Sequence, residues 1–397
     1  MGWNEATIMD QRQQFVMLAR SGNSAMTPLC RRFGISRKTG YKWLSRAREA
    51  EARGNERWAE DQSRRPHRSP SRTREPVEQA VLEVREDHPA WGGRKIRKRL
   101  QTQGMVDLPV PSTITEILRR HGKISERESR ARQAFRRFEH PAPNDLWQMD
   151  FKGPVKMRGG GRCHPLTVID DHSRYALCTK ALGTEQGAEV KEALIDTFRI
   201  HGLPLRMLMD NGSCWGGAGA ARHTRLTVWL LRLGVSLSHG RPYHPQTQGK
   251  DERYNRTLQV EALQGRQFAS LEDCQRAFDT FRRTYNEERP HEAIGLEVPA
   301  SRYSISPTPY PETLPKIDYL DRDIIRVGTK GGAISFKSRF FIVGRAFAGE
   351  PLALRSTRHD GVYDVYYCAE RVTKIDLTQP AYTKYDRITD RGEKPPR

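Results

Sequence analysis

The stretch Arg241-Pro-Tyr-His-Pro-Gln-Thr-Gln-Gly-Lys-Asp-Glu252-Arg-Tyr-Asn-Arg256 reads as a Pro-rich loop passing into a polar helix. The first turn of that helix carries an acid facing a run of basic residues. Two earlier aspartates stand where strands should end, Asp150 in Trp147-Gln-Met-Asp-Phe and Asp210 in Met207-Leu-Met-Asp-Asn-Gly. Brought together from separate elements, Asp150, Asp210 and Glu252 would form a hard, all-oxygen site suited to Mg²⁺ or Mn²⁺. Singly each is weak: Asp-Asn-Gly is also a turn signal, and an acid also favours a helix N-terminus. Their joint placement carries more. Asp150 projects from the strand face opposite Trp147, Met149 and Phe151, Asp210 follows the buried strand Leu205–Met209, and Tyr254, Leu258 and Ala262 give the helix a packing face. Asn255, Arg256 and Gln259 lie at i+3, i+4 and i+7 from Glu252, a polar stripe on its own side.

The chain around this stretch has 397 residues and a net charge of +20. Residues 1–144 hold 30 Lys+Arg against 17 Asp+Glu. Such an excess implies a polyanionic partner, although charge alone does not separate DNA, RNA and an anionic membrane. Mean hydropathy is −0.77 and the apolar fraction 36%, so modest cores and polar linkers are expected. No apolar run is long enough for a membrane span, and the N-terminus lacks the pattern of a secretory signal. Six scattered cysteines without a Cys-x-x-Cys pair suit reduced thiols in the cytoplasm.

Residues 1–50 read as a helix-turn-helix, with Thr27-Pro28 opening the second helix, Gly34 at the turn and Ser36 capping the third. Arg37, Lys38, Tyr41 and Lys42 are the expected DNA contacts; the alternative is a small bundle with a solvated basic face. A basic linker over 51–75 leads to a second helical unit over 76–123, in which Trp91 reads as core and Arg94, Lys95 and Lys98 as the basic face, with Ser112 capping its last helix. A basic connector follows over 124–144. Residues 145–303 alternate strands and helices as a mixed α/β sheet. Asp170 and Asp171 read as fixing a hairpin rather than holding metal. A Pro-rich linker over 304–319 precedes six short strands over 320–380, expected to close as a small β-barrel, and a flexible tail over 381–397.

Asp150-Phe-Lys-Gly, Val168-Ile-Asp-Asp-His-Ser-Arg174, Asp210-Asn-Gly, Pro242 to Arg253 and Glu288-Arg-Pro-His-Glu-Ala-Ile-Gly295 occur in that order. Over about 145–303 the chain resembles the integrase core of retroviral integrases and of bacterial insertion-sequence transposases with a DDE triad. The helix-turn-helix front is similar to that of the transposases and departs from the zinc module of retroviral integrases. Asp210 and Glu252 stand 42 positions apart, longer than is usual in the family, the surplus falling in the Gly/Ala-rich stretch Cys214–His223. The resemblance implies an RNase H-like fold, two divalent metal ions on Asp150, Asp210 and Glu252, and DNA strand transfer. Lys250, Arg253 and Arg256 would hold the scissile strand, and the loop 242–249 would position it. It further implies double-stranded DNA as partner, an oligomer on DNA, no nucleotide cofactor, and work in the bacterial cytoplasm at the nucleoid.

Overall fold

The computed structural model describes residues 7–22, 24–54, 57–61, 73–124, 139–210, 212, 214–216, 223–239 and 249–379. Most of the linker expected at 51–75 and of the connector at 124–144, the loop 242–248 and the tail 381–397 lie outside the described residues. The chain divides into two units, Met1–Arg72 and Thr73–Arg397.

The first unit is a three-helix module. Helices α1 (Ile8–Arg20), α2 (Met26–Arg32) and α3 (Arg37–Arg53) enclose Phe15, Val16, Leu29, Cys30, Trp43 and Leu44. Thr7 and Asp10 close a capping box on α1, and the Ser36 hydroxyl accepts from the Thr39 N–H at 3.1 Å, as expected. Gly34 takes φ +63° at the turn. Helix α2 begins two residues earlier than expected, with Ala25 rather than Thr27 at its N-cap and without a side-chain cap. Gly40 is where α3 crosses closest: a Cβ there would stand 2.8 Å from Cys30 Sγ and 2.9 Å from Phe15 Cζ. Arg37, Lys38, Tyr41 and Lys42 all lie on the exposed side of α3.

The second unit opens with α4 (Glu75–Asp87), α5 (Gly93–Thr102) and α6 (Pro111–Arg120) around a fully buried Trp91, on which His88 stacks at 3.8 Å. Ser112 does not cap α6, because Pro111 takes the first helical position and shifts the cap to Val110. Helix α5 turns much of its charge inward. Lys98 Nζ donates to Glu297 and Arg99 Nη2 to Glu288, both at 2.6 Å, while burial and then Arg289 pull the Lys95 ammonium down to about 7. Of the three residues expected on the basic face, Arg94 alone is exposed.

The region over 145–303 is a sheet between two helical layers. Strands β1 (Trp147–Phe151) and β3 (Arg162–Asp170) pair antiparallel, and β4 (Ala176–Leu182) pairs antiparallel with β3. On the other side of β1, β5 (Arg206–Met209) runs parallel to it and β6 (Ser236–His239) parallel to β5; the short β2 (Val155–Lys156) extends the edge of β3. Three antiparallel strands continued by two parallel ones give the RNase H-like order. Trp147, Met149, Leu166 and Val168 face α7 (Gly187–His201) and α8 (Arg225–Arg232). On the opposite face Ile169, Ala176 and Cys163 pack on α9 (Gly249–Leu258) and α10 (Leu271–Arg283). The alternation expected of β1 is therefore present, and it sends Asp150 to the α9 side. A π turn over Gln259–Leu263 continues α9, and another over Thr284–Glu288 continues α10. The segment read as a Pro-rich linker lies along the core in part. The Leu203 N–H donates to the Thr308 carbonyl at 2.8 Å, and Tyr310 packs on Phe198.

The C-terminal domain corrects one expectation. Six strands are present, β7 (Ile324–Val327), β8 (Ala333–Phe336), β9 (Arg339–Ile342), β10 (Pro351–Ser356), β11 (Val362–Tyr367) and β12 (Glu370–Asp376), yet they do not close as a barrel. They form an open sheet, β12-β11-β10-β7, beside a separate β8–β9 hairpin. Arginine side chains bridge both seams where backbone ladders would have to run. Arg339 donates to the carbonyls of Leu377 and Gln379 at 2.8 and 2.7 Å, and Arg326 Nε to the Ser335 carbonyl at 3.1 Å. Four-residue strands turned by Lys337 and Ser338, both at positive φ, are too short to span those gaps.

Candidate active site

Asp150 and Asp210 line one pocket of about 190 Å³ together with Phe151, Gly153, Glu185, Gly212, Cys214 and Trp215. Phe151 stacks on Trp215 at 5.5 Å and gives the pocket an apolar wall. Asp210 leaves the end of β5 and bends at once. Its Oδ1 accepts from the Gly212 N–H at 2.9 Å, an Asx turn. A Cβ at 212 would stand 2.9 Å from that oxygen and 3.2 Å from Trp215 Cδ1, so a larger residue there would displace the Asp210 carboxylate. Asp150 Oδ2 accepts from Asn255 Nδ2 at 3.1 Å, so α9 orients the first carboxylate through a buried amide. The bend that follows Asp210 was legible as a turn. The inward aim of Asn255 was not, since its spacing had set it on the stripe with Glu252.

Glu252 sits on the exposed side of α9 with Arg253 and Arg256, and is not among the residues lining the pocket. Its charge nevertheless reaches the pocket. Burial, then Asp210, then Glu252 push the Asp150 carboxyl up to about 6, against an ordinary value of 3.8. Among the described residues no group of three His, Cys, Asp or Glu side chains stands close enough to hold one ion. The donor set itself is chemically of one kind. The acids are hard oxygen donors, and the Cys214 thiol beside them is pushed up to about 11 by burial and then Glu185, so it stays a thiol. Those residues fit a divalent cation of the Mg²⁺ or Mn²⁺ type.

Two acids beside the site escaped the sequence reading. Glu185, exposed two residues ahead of α7, lines the pocket, and its Oε1 accepts from His164 Nδ1 at 2.8 Å. Asp251 is buried on the sheet side of α9, 3.3 Å from Thr167 Oγ1, where Thr167 is the cross-strand partner of Asp150. Burial and then Asp150 push its carboxyl well above the ordinary range, and its Oδ2 has no hydrogen-bond partner among the described residues. Nothing in the spacing marked either residue, because an acid next to Glu252 in a polar helix looks solvent-facing.

Asp170 and Asp171 hold structure, as expected. Asp170 Oδ1 accepts from the Ser173 N–H at 2.7 Å and Oδ2 from the Asn144 N–H at 2.8 Å, closing the β3–β4 turn. Asp171 accepts from Gln148 Nε2 at 2.7 Å, from the His140 N–H at 2.9 Å and from Lys250 Nζ. Lys250, expected on the scissile strand, is thus turned onto a buried carboxylate, while Arg253 and Arg256 stay exposed.

The raised Asp150 value sets a pH dependence. A carboxyl whose folded pKa lies above its unfolded one stabilises the fold fully below about pH 4, and that contribution is lost as pH rises through about 6. Without metal, Asp150→Asn is therefore expected to be more stable than the parent at pH 7.5, by roughly 1–2 kcal/mol after allowance for solvent screening. Mn²⁺ affinity should fall as pH drops below about 6, with proton release on binding. Calorimetry in buffers of different ionisation heat checks both; a flat affinity between pH 5 and 7.5 would contradict the assignment of Asp150.

Residues 140–245 and 233–299 match integrase core domain models, and 323–383 match the C-terminal domain of IS481 family transposases. Residues 11–52 match a helix-turn-helix domain and 39–118 a homeodomain-like domain. The 31.7 kDa protein of insertion element IS407 from Burkholderia multivorans is 28% identical over 182 residues, 46% of this chain and 61% of that protein. The 39.2 kDa protein of IS476 from Xanthomonas euvesicatoria is 25% identical over 228 residues, 55% of this chain and 62% of that protein. The chain thus spans about three-fifths of the length of these curated relatives. A solved HTLV-2 integrase catalytic core in complex with magnesium aligns with a TM-score of 0.31 at 17% identity, over 41% of this chain and 97% of that one.

Proposed function

We propose that this chain, which belongs with the insertion-sequence DDE transposases, binds the ends of its element, nicks them and joins the freed 3′-OH to target DNA. The observation that carries the reading is the coupling of three acids from separate elements. Asp150 of β1 shares a pocket with Asp210, and its ionisation is opposed by both Asp210 and Glu252. An idle site has no reason to tolerate that repulsion, whereas a cationic ligand relieves it.

Asp150, Asp210 and Glu252 would hold two Mg²⁺ or Mn²⁺ ions. Bound there, they supply a lowered pKa for water or a 3′-OH and charge neutralisation at the leaving oxygen. Asn255 keeps the Asp150 carboxylate aimed at the pocket, and the Gly212 N–H does the same for Asp210. Phe151 and Trp215 exclude water from one side. Arg253 and Arg256, exposed one and four residues past Glu252, bind phosphates of the strand being cut. Arg37, Lys38, Tyr41 and Lys42 read the element ends through α3, and Arg94 adds a phosphate contact from α5. Two ends must be held at once, so the working form is a homo-oligomer on DNA, with no nucleotide cofactor, acting on the bacterial nucleoid in the cytoplasm.

A gel with labelled donor ends, supercoiled target and Mg²⁺ tests this. Joined product is the expected result. Nicks without joining would indicate a plain nuclease, and a mobility shift without cleavage a DNA-binding regulator; either would overturn the proposal.

A further inference from the structure

Lys250 offers an exposed-helix charge to DNA by its sequence, but its Nζ lies on the buried carboxylate of Asp171, which is 2% exposed. Asp171 is itself fixed from β1 by Gln148 Nε2 at 2.7 Å. Gln148 and Asp150 share a face of β1, being two residues apart on a strand. Lys250 and Glu252 share the first turn of α9. One unbroken chain of polar contacts, Gln148–Asp171–Lys250, therefore runs from the strand that bears Asp150 to the turn that bears Glu252.

We propose that Lys250 is a positioning residue: its ion pair with Asp171 fixes the first turn of α9 so that Glu252 is presented to the Asp150–Asp210 pocket. The inference rests on the metal-site reading given under the proposed function. A lysine desolvated against a structural carboxylate is not available to a phosphate, so the pair acts on metal affinity and leaves DNA affinity alone. Outer-sphere partners of metal ligands have effects of this kind, with losses of about 10–100-fold in metal affinity or activity when removed.

The test uses the full chain, with Mn²⁺ alone as probe, followed by the electron paramagnetic resonance of the free ion. A separate salt titration measures binding to a labelled duplex. Lys250→Met is expected to weaken Mn²⁺ affinity about tenfold, Lys250→Arg to recover part of the loss, and the slope of log affinity against log salt to stay at the parent value. Asp171→Asn, at a residue buried away from any phosphate, should weaken Mn²⁺ severalfold, and the double variant Asp171→Asn/Lys250→Met should be no worse than Lys250→Met. Asp171→Asn keeps the inference testable even if Lys250→Met does not fold. Unchanged Mn²⁺ affinity in Asp171→Asn, or a salt slope reduced by about 0.9 in Lys250→Met, the value for one phosphate contact, would overturn it. Parent protein whose Mn²⁺ uptake is absent, or indifferent to Asp150→Asn, would instead defeat the metal-site reading and carry this inference down with it.

Discussion

Glu252→Gln is expected to abolish strand joining, with a loss of about 10³-fold or more. The amide keeps the size of the side chain and its place on α9 but loses the charge that a hard cation requires. A transition state held by metal gains several kcal/mol of charge stabilisation, and each 1.36 kcal/mol is tenfold in rate. Folding should be unaffected within about 0.5 kcal/mol, because Glu252 is exposed and no ion pair of it is found among the described residues. DNA binding should also persist, since Arg253 and Arg256 remain. The adjacent Asp251 supplies the control. It is buried beside Thr167, the cross-strand partner of Asp150, and points into the helix–sheet interface, where burial pushes its carboxyl well above the ordinary range. Asp251→Asn is therefore expected to join ends within about tenfold of the parent. The measurement is the rate of joined product from labelled ends. Equal losses from both variants, or Mg²⁺-dependent joining by Glu252→Gln at near-parental rate, would remove Glu252 from the triad.

The parts legible from sequence are those governed by local period and local chemistry. Trp147 and Met149 alternate with Gln148 and Asp150, and period two on a strand was enough to send them to opposite layers. Ser36 and Gly34 marked their helix start and turn because each serves its own backbone. Asp170 was legible as a turn-builder for the same reason, accepting from the Ser173 N–H three residues on. What stayed hidden depends on partners distant in sequence. The Lys250–Asp171 pair joins residues 79 positions apart, and the α5 pairs to Glu297 and Glu288 join residues 199 and 189 apart. No spacing rule reports which face of a basic helix meets protein and which meets solvent. Barrel closure failed likewise, since strand count is local while the seam, occupied here by Arg339 and Arg326, is not.

Arg289→Ala is expected to cost about 3 kcal/mol, the largest stability loss predicted for a residue outside the acid cluster. Arg289 Nε donates to Glu261 Oε1 at 2.9 Å, with the two side chains only 11% and 12% exposed. Glu261 lies in the π turn that continues α9, and Arg289 follows the π turn that continues α10, its own N–H donating to the Thr284 carbonyl at 2.8 Å. The pair thus ties the far end of the Glu252 helix to the Glu-Arg-Pro-His motif at 288–291. Removing the guanidinium strands Glu261 in a poorly solvated site, and breaking one half of a buried pair typically costs about 3–5 kcal/mol. The low end applies because Lys95 faces the same carboxylate and partly offsets the loss. For a core of this size the melting midpoint should fall by roughly 6–12 °C. Removing both charges together, as Glu261→Met/Arg289→Met, should recover most of it, since no charge is then left unpaired. Arg289→Ala melting within a degree or two of the parent would mean that the two π turns hold α9 without the ion pair.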